Sequence, residues 1–223
     1  MRRKTRPCRW KRRLAAAAAL SLSFAMVPVP AVRAEEPAAV SETGETVEIR
    51  TEEEFRRFAA ECVSEFYSRG KRFVLTGDID LGGEALEPAA VFAGELDGGG
   101  HVIRGLQISC AGSDLGLFRY IEEGALVRNL QVEGDVIPAG SRGQVGGIAG
   151  VCRGQIENCS FSGRAAGEEA VGGIAGYVEE TGVIRNCSNA GEIAGDLKTG
   201  GIAGRNDGRI EDCVNTGAIN AAA

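Results

Sequence analysis

The sequence is poor in the residues from which catalytic and metal sites are most often built. Its 223 residues include one histidine, one tryptophan, three tyrosines and two methionines, and aromatics reach only 5%. His101 alone cannot complete a zinc site with cysteines, no Cys-x-x-Cys pair occurs, and His-Glu-x-x-His is missing, which excludes a zinc peptidase built from this chain by itself. The run Asp97-Gly98-Gly99-Gly100 lacks the Gly-Lys-Ser/Thr ending of a phosphate loop and reads as a turn. No Gly-Gly-x-Gly-x-Asp nonapeptide series is present to hold calcium. Basic residues are scarce past the start. Nine of the 25 Lys and Arg lie in residues 1–34 and none of the 31 Asp and Glu does, so the remainder carries 16 basic against 31 acidic residues, a net of −15. A charge that negative opposes binding to nucleic acid or anionic lipid.

The first 34 residues have the three-part layout of a secretory signal peptide. Arg2, Arg3, Lys4, Arg6, Arg9, Lys11, Arg12 and Arg13 form the basic region, Leu14 to Val27 the apolar run, and Val32-Arg33-Ala34 the small-residue cleavage point. The run is shorter than the ~20 residues needed to span a bilayer and Pro28 and Pro30 end it, so no lasting membrane span is expected. Cys8 precedes the apolar run, the wrong place for a lipid-anchored first residue. Residues 35–45 are acidic and lack large apolar groups, which predicts a disordered leader. Residues 46–223 are expected to form one domain: an N-terminal cap with a helix (46–70), irregular coils (71–144), and three repeats (145–223).

Glycine, at 33 residues, is what the chain has in abundance. Val145-Gly146-Gly147-Ile148-Ala149-Gly150 returns as Val171-Gly172-Gly173-Ile174-Ala175-Gly176 and as Thr199-Gly200-Gly201-Ile202-Ala203-Gly204, with starts 26 and 28 residues apart. That period marks stacked arrays. Each copy leads to a second block: Ile156-Glu157-Asn158-Cys159, Ile184-Arg185-Asn186-Cys187, Ile210-Glu211-Asp212-Cys213. Val127-Arg128-Asn129-Leu130 matches it upstream. Asn158, Asn186 and Asp212 stand where the chain must bend, and Asn and Asp tolerate left-handed backbone. Three short extended pieces are expected per repeat, in the second at Gly173 to Tyr177, Val183 to Ser188 and Glu192 to Ala194. Units this short share a core only by stacking. The spacing predicts an all-β, right-handed parallel β-helix, its exposed N-terminal edge covered by an amphipathic helix from Thr51 to about Ser68. Thr51 and Glu54 form a capping box, and Phe55, Phe58, Ala59, Cys62, Val63 and Phe66 one apolar stripe.

Six cysteines follow the leader: Cys62, Cys110, Cys152, Cys159, Cys187 and Cys213. An even count in an exported chain invites disulfides. Three of the six occupy one repeat position, however, and stacked there they are expected to be small buried hydrophobes.

With these blocks in view, the chain resembles bacterial exported proteins carrying the GLUG motif. The likeness rests on the Gly-Gly-Ile-Ala-Gly blocks, the Ile-x-(Asn/Asp)-Cys blocks, and Asn189-Ala190-Gly191-Glu192-Ile193 and Asn215-Thr216-Gly217-Ala218-Ile219. Phe161-Ser162-Gly163-Arg164-Ala165 departs from the last pattern. Upstream, Leu75 to Leu81, Gly94 to Ile103 and Gly116-Leu117-Phe118 share the likeness, which spans roughly residues 70–220. The resemblance implies a β-helical segment of a secreted or cell-surface protein, in relatives sometimes near peptidases of the IgA-cleaving metallopeptidase group. It implies no catalytic residues. Many relatives carry a sorting signal, anchor or second domain that the sequence does not display.

Parallel β-helices also host polysaccharide lyases and hydrolases, and glycoside hydrolysis needs a pair of carboxylates. Asp78 and Asp80 lie two apart on an expected strand and hence on one face, but no cleft-forming insertion surrounds them and tyrosines for sugar stacking are few. His101 has no nucleophile placed beside it by motif. No catalytic, metal or cofactor site is assigned. The expected function is display or adhesion on a secreted or surface protein, with an extracellular glycan or host protein as partner. The alternatives are a β-helical polysaccharide-degrading enzyme or an accessory piece of a larger surface protein, the latter prompted by the ending Asn220-Ala221-Ala222-Ala223. Any function is expected on outward positions that vary between copies, such as Arg153, Glu179 and Asp207.

Overall fold

A computed structural model describes residues 44–140 and 143–221. The expected signal peptide and nearly all of the leader lie outside the described residues.

One ladder fixes the architecture. The strands Thr46–Ile49, Arg72–Leu75, Glu95–Asp97, Leu126–Arg128, Gln155–Glu157, Val183–Arg185 and Arg209–Glu211 pair in parallel, each with the next. Their central residues, Val47, Phe73, Leu96, Val127, Ile156, Ile184 and Ile210, register one above another. The steps between them are 26, 23, 31, 29, 28 and 26 residues. A second sheet carries Ile79–Asp80, Val102–Ile108, Gln131–Val136 and Ser160–Gly167, then Ser188–Asn189 and Val214–Asn215. A third carries Gln144–Gly146, Ala170–Gly172 and Lys198–Gly200, and a fourth Ala89–Phe92, Phe118–Ile121, Ala149–Cys152, Ala175–Val178 and Ala203–Asn206. The fold is a parallel β-solenoid of about six turns, as the period and glycine density predicted. The expected right-handed sense is that of nearly all parallel crossovers.

Each repeat holds more strands than the three pieces expected. The Gly-Gly pair is a corner between the third and fourth sheets, and the first-sheet strand stops at Arg185 before resuming at Ser188. The bend between them is the Asn/Asp position: Asn129, Asn158, Asn186 and Asp212 all have φ of 52°. At the corner there is no room for a side chain. A Cβ on Gly147 would lie 2.3 Å from the Phe161 ring, and on Gly173 or Gly201 2.3 Å from Cγ of Asn189 or Asn215. These three partners occupy one registered position, which explains why the first copy departs from the Asn-x-Gly pattern: phenylalanine fills the space that asparagine fills above. Asn189 is fully buried, and its amide bonds are satisfied. It donates to Gly191 O (3.2 Å) and Asn215 Oδ1 (2.7 Å) and accepts from Gly191 N (3.0 Å).

The N-terminal cap differs from the single helix expected. The first helix, Glu52–Glu61, starts with the full capping box and ends at Cys62; a four-residue helix, Glu65–Ser68, follows. The break turns the apolar stripe. Phe55, Phe58, Ala59 and Cys62 are buried, whereas Val63 and Phe66 are 71% and 81% exposed. Phe58 packs among Phe55, Phe73, Phe92 and Phe118 at ring separations of 5.7, 4.7, 6.0 and 6.4 Å, so the lumen is aromatic beside the cap. In the fourth sheet the Phe118 position becomes Ala149, Ala175 and Ala203, and the core thins. The cap also satisfies terminal strands: Cys62 O and Ser68 Oγ accept from Val91 N (2.8 Å) and Ala93 N (2.9 Å), and Arg56 donates to Leu81 O and Ala85 O. It thus protects the edges that the sequence required it to cover.

Candidate functional site

The carboxylates weighed for catalysis are committed to turns. Asp78 Oδ1 accepts from Val102 N (3.2 Å) and lies 3.3 Å from His101 Nδ1, while its Oδ2 pairs with Arg104 at 3.1 Å. The bond from Val102 N holds Asp78 below the usual carboxylate range; desolvation opposes it, and His101 and Arg104 add to it. Asp80 accepts from Gly82 N at 2.9 Å. Asp78 and Asp80 flank buried Ile79 and are both exposed, and the first is bonded to the next coil while the second is bonded within its own turn. His101 closes the Gly98 turn through its N–H to Gly98 O (2.8 Å).

The varying outward positions converge on one corner, where the fourth sheet turns into the first. Arg153 makes a bidentate contact with Glu179 (2.9 and 3.0 Å) and reaches Glu122 at 2.9 Å. One coil on, Asp207 pairs with Arg205 and accepts from Tyr177 OH at 2.8 Å. These bonds hold Asp207 below the usual range. Tyr120, Val151, Tyr177 and Arg205 register as one outward row. Arg153 lies 5.3 Å from the Tyr120 ring and Arg205 4.4 Å from that of Tyr177, at cation–π distance. Two of the three tyrosines therefore share a face, a gathering missed in the sequence. The signal was Phe118-Arg119-Tyr120-Ile121 standing in register with Ala175-Gly176-Tyr177-Val178.

A shallow polar cavity of about 470 Å³ lies at the mouth of the third sheet, lined by Gly112, Ser113, Asp114, Gly140, Gly143, Gln144 and Glu169. Most of its lining comes from two connections, between Ile108 and Phe118 and between Val136 and Gln144, which lie far along the chain from Asp78 and Asp80. Asp114 (φ 60°) accepts from Tyr120 OH at 2.6 Å, from Ser113 Oγ at 3.1 Å and from Gln144 N at 3.4 Å. Such a carboxylate positions hydroxyl and amide partners. Among the described residues no group of His, Cys, Asp and Glu is placed to hold a metal ion, and no helix is long and apolar enough to cross a membrane.

The first sheet carries a charge ladder on its outer face. Asp97, Arg128, Glu157, Arg185 and Glu211 register in sequence, with alternating sign. Arg128 contacts Asp97 at 3.0 Å, and Arg185 contacts Glu157 at 3.2 Å and Glu211 at 3.0 Å.

The comparisons with known proteins agree with this geometry. The family model described as the GLUG motif matches residues 167–194 and 197–220; the copy beginning at Val145 lies outside the match but shares its strands and register. The chain is similar to Halomucin of Haloquadratum walsbyi, 31% identical over 129 residues, which are 50% of this chain and 1% of that protein. It is also similar to a "Putative Gly-rich membrane protein" of Evansella cellulosilytica, 38% identical over 110 residues, 44% of this chain and 13% of that one. The chain thus spans a small part of these relatives. Among solved structures, a "putative immunoglobulin A1 protease" from Bacteroides ovatus superposes with a TM-score of 0.65 at 27% identity, covering 78% of this chain and 58% of the other. The names of the sequence relatives point to surface proteins. The family model thus finds the GLUG motif twice in the chain, at residues 167–194 and 197–220, and the registered blocks repeat the same pattern from Val145 on.

Proposed function

We propose that the chain is a secreted or surface-exposed solenoid for display or adhesion, which binds an extracellular glycan or a host protein and performs no catalysis. The carrying observation is the commitment of its outward charges. Asp78, Asp97 and Asp207 are all held below the usual carboxylate range by hydrogen bonds and neighbouring cations, whereas a general acid needs a carboxyl raised toward neutrality. These charges tie coil to coil and leave a rigid wall with variable outer positions. Export by residues 1–34 belongs to the same reading, supported by their basic, apolar and small-residue regions. The names of the relatives, a mucin-like and a membrane protein, support a surface role.

An enzymatic reading stands second, favoured by the name of the structural neighbour and by the cavity at Asp114. One assay separates the two. The chain is applied to immobilised mucin and neutral polysaccharide, and retention and product release are measured together. Retention without release is expected. Release of peptide or sugar fragments that Asp114→Asn or Asp78→Ala abolishes would replace adhesion by catalysis.

A further inference from the structure

Three thiols stand one above another inside the repeats. Cys159, Cys187 and Cys213 are each preceded by registered residues, Glu157, Arg185 and Glu211, and followed by others, Ser160, Ser188 and Val214. Parallel strands lie about 4.8 Å apart, inside the window of about 4.4–6.8 Å between Cα atoms that a disulfide bridges. The side chains lean alike: Cys159, Cys187 and Cys213 donate to Val127 O, Ile156 O and Ile184 O of the preceding coil at 3.7, 3.5 and 3.7 Å. Cys187 N in turn donates to Cys213 Sγ at 3.4 Å. Access is graded. Cys159 and Cys187 are each 2% exposed, and Cys213 is only partly buried.

We propose that this ladder is a thiol–disulfide exchange site for small disulfides, entered at Cys213 and ending in a link between Cys159 and Cys187. In the first step the Cys213 thiolate attacks a small disulfide, forming a mixed disulfide and releasing one thiolate, which takes up the proton Cys213 gave to water. In the second, the Cys187 thiolate attacks Cys213 Sγ, expelling the other small thiol. Two protein thiols are then oxidised and one small disulfide is reduced to two thiols. In the third, Cys159 attacks Cys187 Sγ, which moves the bond one coil inward and returns Cys213 as a free thiol, with no net redox change. Contact with the Cys159 thiol holds Cys187 below the ordinary thiol range, whereas burial holds Cys159 well above it and Cys213 above it; entry at Cys213 therefore rests on its exposure, and the attack by buried Cys159 is the slow step. The final link lies out of direct reach of solvent reductants, which return to it only through Cys213. The inference does not depend on the binding reading.

The test incubates the folded full chain with oxidised glutathione, blocks free thiols and digests with trypsin without reduction. Cleavage after Arg153, Arg164, Arg185 and Arg209 puts Cys159, Cys187 and Cys213 on separate peptides. The expected products are a transient glutathione adduct on Cys213, then a Cys159–Cys187 cross-link with Cys213 alkylated. In Cys213→Ser the cross-link should form slower by on the order of tenfold or more, since the accessible thiol starts the exchange. Cys110→Ser should leave the rate unchanged, and Cys213→Ala replaces the serine variant if far-UV circular dichroism shows a disturbed fold. An undiminished rate without Cys213, a persistent adduct that never resolves internally, or links dominated by Cys62, Cys110 or Cys152 would overturn the proposal.

Discussion

Replacing Gly173 by alanine tests whether the repeated Gly-Gly pair is a matter of space. A Cβ there would lie 2.3 Å from Asn189 Cγ and 2.4 Å from the Gly201 carbonyl oxygen. Neither can retreat cheaply: Asn189 is bonded on both sides of its amide, and Gly201 belongs to the backbone of the next coil. Overpacking of this kind costs about 1–3 kcal/mol, and a backbone clash places it at the upper end. Alanine recovers about 0.4–1 kcal/mol by restricting the unfolded chain, leaving a net loss of roughly 2–3 kcal/mol. Gly124→Ala is the contrast. Its φ is +81° with nothing within 4 Å of the new Cβ, so the cost is left-handed strain of about 1–2 kcal/mol, less the same recovery. Urea unfolding followed by far-UV circular dichroism measures both variants under one probe, which matters because repeat arrays can unfold in pieces. A loss at Gly173 no larger than that at Gly124 would refute the steric account.

Two further outcomes follow from the cap and the charge ladder. Phe58→Ala should lose about 3–5 kcal/mol, because it empties the centre of four ring contacts, and a much smaller urea-midpoint shift would mean the cap docks loosely. Burial opposes the ionisation of Asp97, but bonds from Asn129, Gly99 N and Arg72 and the charge of Arg128 outweigh it and lower its pKa from 3.8. Its contribution to stability is therefore present above about pH 4 and fades as pH falls through the lower folded value. Asp97→Asn should flatten the acid limb of a pH–stability curve, and an unchanged limb would remove Asp97 from the ladder's energetics.

How far the sequence foretold this can be judged from particular residues. Asn158, Asn186 and Asp212 were legible because left-handed backbone restricts residue type, and with Asn129 they follow the last four of the seven first-sheet strands. The cap was legible in its start, through Thr51 and Glu54, but not in its end. The helical pattern continued through Val63 and Phe66, yet Cys62 leaves the helix so that its carbonyl can receive Val91 N, a tertiary demand that periodicity does not register. Arg153, Glu179 and Asp207 were singled out as variable; their gathering beside Tyr120 and Tyr177 depends on strand register, which a single sequence yields only where the repeats are near-identical. The segments around Asp114 are connections between strands, and neither their length nor their composition sets them apart in the sequence.

The charge ladder also acts as a parity check on assembly. The last three coils are alike enough to stack out of order, since Ile156, Ile184 and Ile210 and Ala149, Ala175 and Ala203 repeat inside them. Along Asp97, Arg128, Glu157, Arg185 and Glu211 every correct neighbour is of opposite sign, so skipping one coil brings like charges together, while skipping two does not. Single-coil errors in folding are thereby opposed electrostatically. The same arithmetic makes the loss or gain of coils in pairs the tolerated route by which such an array changes length.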